Sequence, residues 1–236
     1  MISVGRAFEV LDHRSTDLGD LILRRRGLIS RGGESVWEVM LDGRLLMSSL
    51  VNDSERALAQ LGLNELGERP CSVLVGGLGL GSTARQALAS PHVDRLVVIE
   101  LLDPVLQWHT EGLVPHAAEL LEDDRCEIRI GDFFSAFADV PDASSTWDAI
   151  LLDIDHSPEF RLRGSPAEFY QRDGLQQLRR HIAPGGVFAV WSADDIDHSF
   201  LGELDASFET ARAEPITFRN PMLDRDDTNV IYVATA

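Results

Sequence analysis

The chain has 236 residues, 44% of them hydrophobic, enough for one large core or a core with an extension. Its 39 acidic and 21 basic residues leave a net charge of -18, and arginine is its only fixed side-chain cation, since lysine is absent. A surface this acidic repels nucleic-acid phosphates and draws cations, and no apolar run approaches the roughly 20 residues of a membrane span.

The opening residues, Met1-Ile2-Ser3-Val4-Gly5-Arg6, form no signal-peptide pattern. Cys71 and Cys126 each begin an apolar run and lack metal-ligand spacing, so a reducing cytoplasm is the expected compartment. Residues 1–50 read as a β-rich segment. Phe8–Leu11, Leu21–Arg24 and Val36–Leu41 are strand patterns, with turns at Gly27, Gly32-Gly33 and Asp42-Gly43. Asp42-Gly43 between apolar runs is a hairpin signal. Residues 51–70 read as a linking helix, with Asn52 and Glu55 at the spacing of a capping box for a helix through Leu63.

From Cys71 onward, strands and helices alternate. Strand patterns lie near Val73–Val75, Leu96–Ile99, Glu127–Ile130, Ala149–Leu152 and Val187–Trp191, and helical patterns at Ser82–Ala89, Pro104–Leu121 and Ala167–His181. Continuous apolar strands between helices imply a parallel sheet covered on both faces. Ala183-Pro184-Gly185-Gly186 turns the chain out of a helix into the next strand. Two late runs, Ala213–Phe218 and Asn229–Ala234, fit an antiparallel edge. Residues 71–236 therefore read as a Rossmann-like nucleotide-binding domain.

Within it, Val73-Leu74-Val75-Gly76-Gly77-Leu78-Gly79-Leu80-Gly81-Ser82-Thr83 joins a strand to a helix through alternating glycines. Glu100 ends the next apolar run. A glycine turn lets backbone approach a ligand, and a carboxylate about 20 residues on suits ribose hydroxyls. The competing reading is a tight strand-to-helix turn that uses glycine for its own geometry.

The order of these elements resembles the class I S-adenosylmethionine (AdoMet) dependent transferase fold, and within it the chain is similar to the spermidine synthase family. Val73–Leu88, Val98–Glu100, Ile130-Gly131-Asp132-Phe133 and Trp147–Asp153 carry the likeness, which covers Cys71 to about Trp191. Methyltransferases of this fold usually have an acidic residue where Val75 stands. The aminopropyltransferases are apolar there and continue Thr-x-Arg, matched by Thr83-Ala84-Arg85. The resemblance implies that Gly77, Gly79 and Gly81 line AdoMet or decarboxylated AdoMet, and that Glu100 holds the ribose. It implies that Asp132, with Phe133 beside it, meets the adenine amino group. Asp153 becomes the carboxylate that orients and deprotonates an attacking amine, because an ammonium has no free lone pair. A small-molecule amine partner and a homodimer or higher homo-oligomer follow from the same likeness.

The departures fall on the acceptor side. Leu80 replaces a carboxylate that meets the cofactor's amino end. Asp153-Ile154-Asp155-His156-Ser157-Pro158 shifts the second carboxylate of the family's Asp-x-x-Asp-Pro, leaving Asp155 and His156 as substrate-side candidates. Leu46 stands for a glutamine, and Ser54-Glu55-Arg56-Ala57-Leu58-Ala59 replaces the Tyr-His-Glu helix. Three functions remain open: aminopropyl transfer, methyl transfer from AdoMet, and nucleoside binding without catalysis. Trp108 and His109 read as packing and surface residues, and Asp194-Asp195-Ile196-Asp197-His198 as capping and solvated charge. No residue set has metal-ligand spacing, so no metal is expected.

Overall fold

The computed structural model describes residues 8–28, 33–137, 146–154, 156–157, 160–161, 167–221 and 224–236. Four strands come first: β1 (Phe8–Thr16), β2 (Gly19–Leu28), β3 (Glu34–Leu41) and β4 (Arg44–Ser48). They form an antiparallel meander in that order. Asp42 and Gly43 both take positive φ, 48° and 76°, and close the hairpin between β3 and β4. β4 was not among the expected strands, because Leu45-Leu46-Met47 lacks the alternation that marks a half-buried strand.

Helix α1 (Asp53–Asn64) follows, but the expected capping box does not form. The Asn52 side chain caps nothing, and Glu55 accepts instead from Ser54 Oγ at 2.8 Å.

The remaining elements build the second sheet. They are β5 (Cys71–Gly76), α2 (Ser82–Leu88), β6 (Val93–Glu100), α3 (Asp103–Thr110), α4 (Ala117–Leu121), β7 (Cys126–Ile130) and β8 (Trp147–Leu152). After these come the two-residue strands β9 (His156–Ser157) and β10 (Phe160–Arg161), then α5 (Arg172–Arg179), β11 (Ile182–Ser192), α6 (His198–Ser207), β12 (Thr210–Asn220) and β13 (Arg225–Thr235). The expected helix Pro104–Leu121 is broken between α3 and α4, where Gly112 and His116 adopt φ of 68° and 61°. The pattern at Ala167–His181 starts as a 3-10 turn, Ala167–Tyr170, and becomes α5 after it.

The sheet order is β12-β13-β11-β8-β5-β6-β7. Strands β11, β8, β5, β6 and β7 run parallel, while β13 and β12 add the antiparallel edge. This is the Rossmann-like sheet expected, preceded by the small β segment. Period-2 alternation sends Val73, Val75, Val98 and Leu151 to one face, and Leu74, Val97, Ile150 and Leu152 to the other. The first face packs on α1, α2 and α3 and shares its core with Leu21, Leu23, Val39 and Leu41 of the N-terminal meander. Two indoles, fully buried Trp108 and half-buried Trp37, also tie the meander to α3 and the turn that follows it. Trp37 Nε1 donates to Leu113 O at 2.8 Å, and Trp108 Nε1 to Asp12 Oδ2 at 2.7 Å. No helix among the described residues is long and apolar enough to cross a membrane.

Candidate functional site

Strand β5 is the switch point of the sheet, with β6 and β7 on one side and β8 and β11 on the other. Open α/β sheets form their binding crevice above such a point, at the carboxyl ends of the strands. Here the glycine turn leaves β5, Glu100 ends β6, Asp132 follows β7 and Asp153 follows β8. Sequence reasoning named all four. The fold lines them up across adjacent strands.

The glycines serve the protein's own packing as well as any ligand. Gly77 has φ of 93°, and a Cβ there would lie 2.2 Å from the Asp153 carbonyl oxygen. Only glycine lets β5 and β8 end this close together. Gly81 is equally constrained, at φ of 86° with Leu120 Cδ1 2.7 Å from where a Cβ would sit. Gly79 faces Met47 of β4, so the N-terminal meander reaches over the turn.

Glu100 is 7% exposed. Its Oε2 accepts from Leu78 N at 2.9 Å and its Oε1 from Leu102 N at 2.8 Å. Burial pushes the carboxyl above the usual range, and these backbone N–H groups pull it back. Each oxygen has a second lone pair, so the carboxylate can also accept from a diol. Asp132 accepts from Phe134 N at 3.0 Å and from Ser135 Oγ at 2.7 Å, capping the 3-10 turn Phe134–Phe137. Phe133 is 2% exposed, and its ring packs in the second core cluster under Gly76 and beside Phe137. That ring fills core volume rather than the crevice.

Asp153 N donates to Gly76 O at 2.8 Å, and Asp153 Oδ2 accepts the Thr83 hydroxyl. Asp155 lies outside the described residues. His156 pairs with Arg161 across β9 and β10, and its side chain also lies outside them. Arg85, the other motif residue, pairs with exposed Glu119 on α4.

A cavity of about 120 Å³ sits beside the glycine turn, with Met47, Ser48, Glu55, Gly79, Asp153 and Trp191 among its walls. It joins β4, α1, the glycine turn and the ends of β8 and β11. A larger one, about 790 Å³, lies by α5 and is lined by Phe134, Phe169, Arg172 and Glu203. No glycine-turn residue and none of the three strand-end carboxylates lines that larger cavity among the described residues, so the smaller one holds the candidate chemistry.

Two wall or support residues had no clear sequence signal. Glu55 sits in the first turn of α1, where acidic residues are common for helix reasons alone. His109 is 1% exposed, not a surface residue, and its Nε2 lies 3.0 Å from the Gly79 carbonyl. Burial holds its pKa below the usual value, so a neutral ring donates through Nε2 to the turn. Asp197, by contrast, caps α6 as its sequence suggested, accepting from Ser199 N and Phe200 N.

Comparison with known proteins follows the same lines. Residues 54–214 match the family model described as the spermine/spermidine synthase domain. The chain is 25% identical over 189 residues to a polyamine aminopropyltransferase of Synechococcus sp. (strain JA-2-3B'a(2-13)), covering 77% of this chain and 55% of that protein. It is 31% identical over 121 residues to the polyamine aminopropyltransferase of Nitrosomonas europaea, covering 51% and 35%. The chain thus spans about half the length, or less, of these curated relatives. Among solved structures, spermidine synthase from Thermotoga maritima superposes with a TM-score of 0.74 at 17% identity, over 96% of this chain and 72% of that one. A spermidine synthase in complex with the transition state analogue AdoDATO gives 0.72, with the same identity and coverage. At such identity these two establish the fold.

Proposed function

We propose an activity from one premise: the chain belongs to the spermine/spermidine synthase domain family. It transfers an aminopropyl or related group from decarboxylated AdoMet, or from AdoMet itself, to a small amine. The observation that carries this reading is the row of carboxylates Glu100, Asp132 and Asp153 on consecutive sheet positions around the glycine turn.

The donor set suits a sulfonium nucleoside. Glu100 has free lone pairs for the ribose hydroxyls, the Gly77–Gly81 backbone cradles the nucleoside, and Asp132 takes the adenine amino group. When bound, the nucleoside supplies a carbon activated by the adjacent sulfonium. The chain's own residues do the rest. Asp153 accepts the proton of the incoming ammonium, freeing the nitrogen lone pair. The new N–C bond forms as the C–S bond breaks, and methylthioadenosine leaves. Thr83 holds the Asp153 carboxylate by its hydroxyl, so the base is oriented before the amine arrives. Leu80 and Leu46 make the wall of the smaller cavity apolar where the family has polar contacts. An apolar wall lowers the local dielectric, which strengthens the attraction between the Asp153 carboxylate and a cationic amine.

The protein acts in the cytoplasm as a homodimer or higher oligomer. Phe8, Val10 and Leu45 of the meander are each more than half exposed, which favours assembly through this sheet. Light scattering should give a mass above the 26.1 kDa protomer. A monomer at micromolar concentration would count against it. For the chemistry, each cofactor is incubated with an amine panel, and both by-products are followed. Methylthioadenosine release is expected. S-adenosylhomocysteine release would mean methyl transfer, and binding without either product would mean a non-catalytic nucleoside protein.

A further inference from the structure

Gly79 takes φ of 49° in the middle of the glycine turn. Glycine visits this conformation and its alternatives alike, so the turn must be given its shape by its neighbours. Two side chains do so. Glu100 takes the N–H groups: it accepts from Leu78 N at 2.9 Å, and the Gly79 N–H bonds to the same carboxylate. His109 takes the carbonyl, with Nε2 3.0 Å from the Gly79 oxygen.

The His109 ring is committed to that one contact. It is 1% exposed, and its Cε1 lies 3.3 Å from where a Cβ on Gly81 would sit, so it also abuts the second constrained glycine of the turn. Its Nδ1 is buried and has no hydrogen-bond partner among the described residues. A neutral ring whose single partner is a carbonyl carries its proton on Nε2, which leaves Nδ1 a bare acceptor. An apolar side chain would fill this space without stranding a nitrogen, so the Nε2 contact is what the histidine supplies. Helix α3 keeps the ring in place. Trp108, the preceding residue, is fully buried and donates to Asp12 on β1 at 2.7 Å. Neighbours on a helix project about 100° apart, so one grips the meander while the other grips the turn.

A trans peptide is planar, so its C=O and N–H point in opposite directions. With the Gly79 carbonyl turned onto His109, the Leu80 N–H of the same peptide is turned away from it. Gly79 and Leu80 both line the cavity of about 120 Å³, so this peptide belongs to the surface that a ligand meets. We propose that His109 is a positioning residue of the nucleoside site: by holding the Gly79 carbonyl it fixes the Gly79–Leu80 peptide in one orientation, so that the turn offers a ligand its amide N–H and not its carbonyl. The role rests on the nucleoside-binding reading of the crevice, and is independent of which group is transferred.

Calorimetry with methylthioadenosine, on folded protein well below its unfolding temperature, tests this. His109→Leu fills the space and removes the N–H. Affinity should fall by roughly five- to thirtyfold, the effect of one buried carbonyl left unmatched. His109→Gln places an N–H near the position of Nε2 and should return affinity to within about threefold of wild type. His109→Asn is polar but one bond too short to reach the carbonyl. It should bind as weakly as His109→Leu, and it serves where the leucine variant does not fold. A role in packing alone would lower the unfolding temperature of all three variants and leave the affinity of the folded protein unchanged. Equal affinity in wild type, His109→Leu and His109→Asn, or a glutamine variant as weak as these two, would overturn the assignment of His109 while the nucleoside site stands. Wild type that binds neither methylthioadenosine nor AdoMet would overturn the nucleoside reading, and the role of His109 with it.

Discussion

At the residue scale the strand-end carboxylates divide the labour. Asp153 should be needed for turnover and dispensable for nucleoside binding, and Glu100 the reverse. Asp153→Asn keeps the shape and removes the base, so a rate loss of roughly 10²–10⁴ is expected with methylthioadenosine affinity intact. Glu100→Ala should weaken that affinity by a few kcal/mol, since charged hydrogen bonds contribute about 1.5–3 kcal/mol each. Calorimetry and single-turnover rates separate the two, and full activity in Asp153→Asn would remove it from the mechanism. His109 gives a pH prediction. Its folded pKa lies below the usual 6.5, so the unfolded chain takes up a proton that the folded chain refuses. Stability is therefore complete above pH 6.5 and falls as pH drops below it. His109→Gln keeps an N–H for the Gly79 carbonyl and does not titrate. Relative to that variant, wild type should lose up to about 1.4 kcal/mol per pH unit on the acid side. Parallel unfolding curves for the two at every pH would show that the pKa of His109 does not change on folding.

At the scale of elements, the N-terminal meander completes the site although it supplies no strand to the main sheet. β4 brings Met47 over Gly79, and β1 is anchored to α3 through Asp12 and Trp108. The register shift between Val10 and Asp12 resets the alternation of β1 at that contact. Asp12→Ala leaves the indole N–H of fully buried Trp108 without its acceptor, which costs about 1–3 kcal/mol. Asp12→Asn retains an acceptor and should lose less. Thermal unfolding reads the difference, and an unchanged midpoint for Asp12→Ala would mean that the meander is not coupled to α3. The sequence showed the hairpin and the alternation here, and missed β4. It read α3 and α4 as one helix because apolar periodicity continued across Gly112, while the positive φ of His116 has no sequence mark.

At the scale of the whole molecule, the charge of -18 surrounds a cavity that two acidic residues line and no described basic residue does. Long-range attraction should speed the capture of a cationic amine and should be screened within a Debye length of about 8–10 Å at physiological salt. KM for a diamine should therefore rise with salt while kcat stays nearly constant, and an uncharged nucleoside such as methylthioadenosine should bind independently of salt. A salt-independent KM would assign capture to local contacts alone.

The sequence by itself determined the parallel sheet, its antiparallel edge, the glycine turn and the order of Glu100, Asp132 and Asp153. These are local properties. A strand buried on both faces must be continuously apolar, a tight turn under packing must be glycine, and a residue at a strand's end is placed by the strand. Tertiary structure alone decided which side chains support the turn and the cavity wall. Ser54 meets Trp191 and Asn229 across 137 and 175 positions of chain. His109 reaches Gly79 across 30. Such contacts leave no periodicity or spacing to read, because which side chains share a buried volume is set by how the sheets and helices pack. The carboxylates of the crevice follow the strands, whereas the side chains that hold the turn and the cavity wall in place depend on elements brought together only in the folded chain.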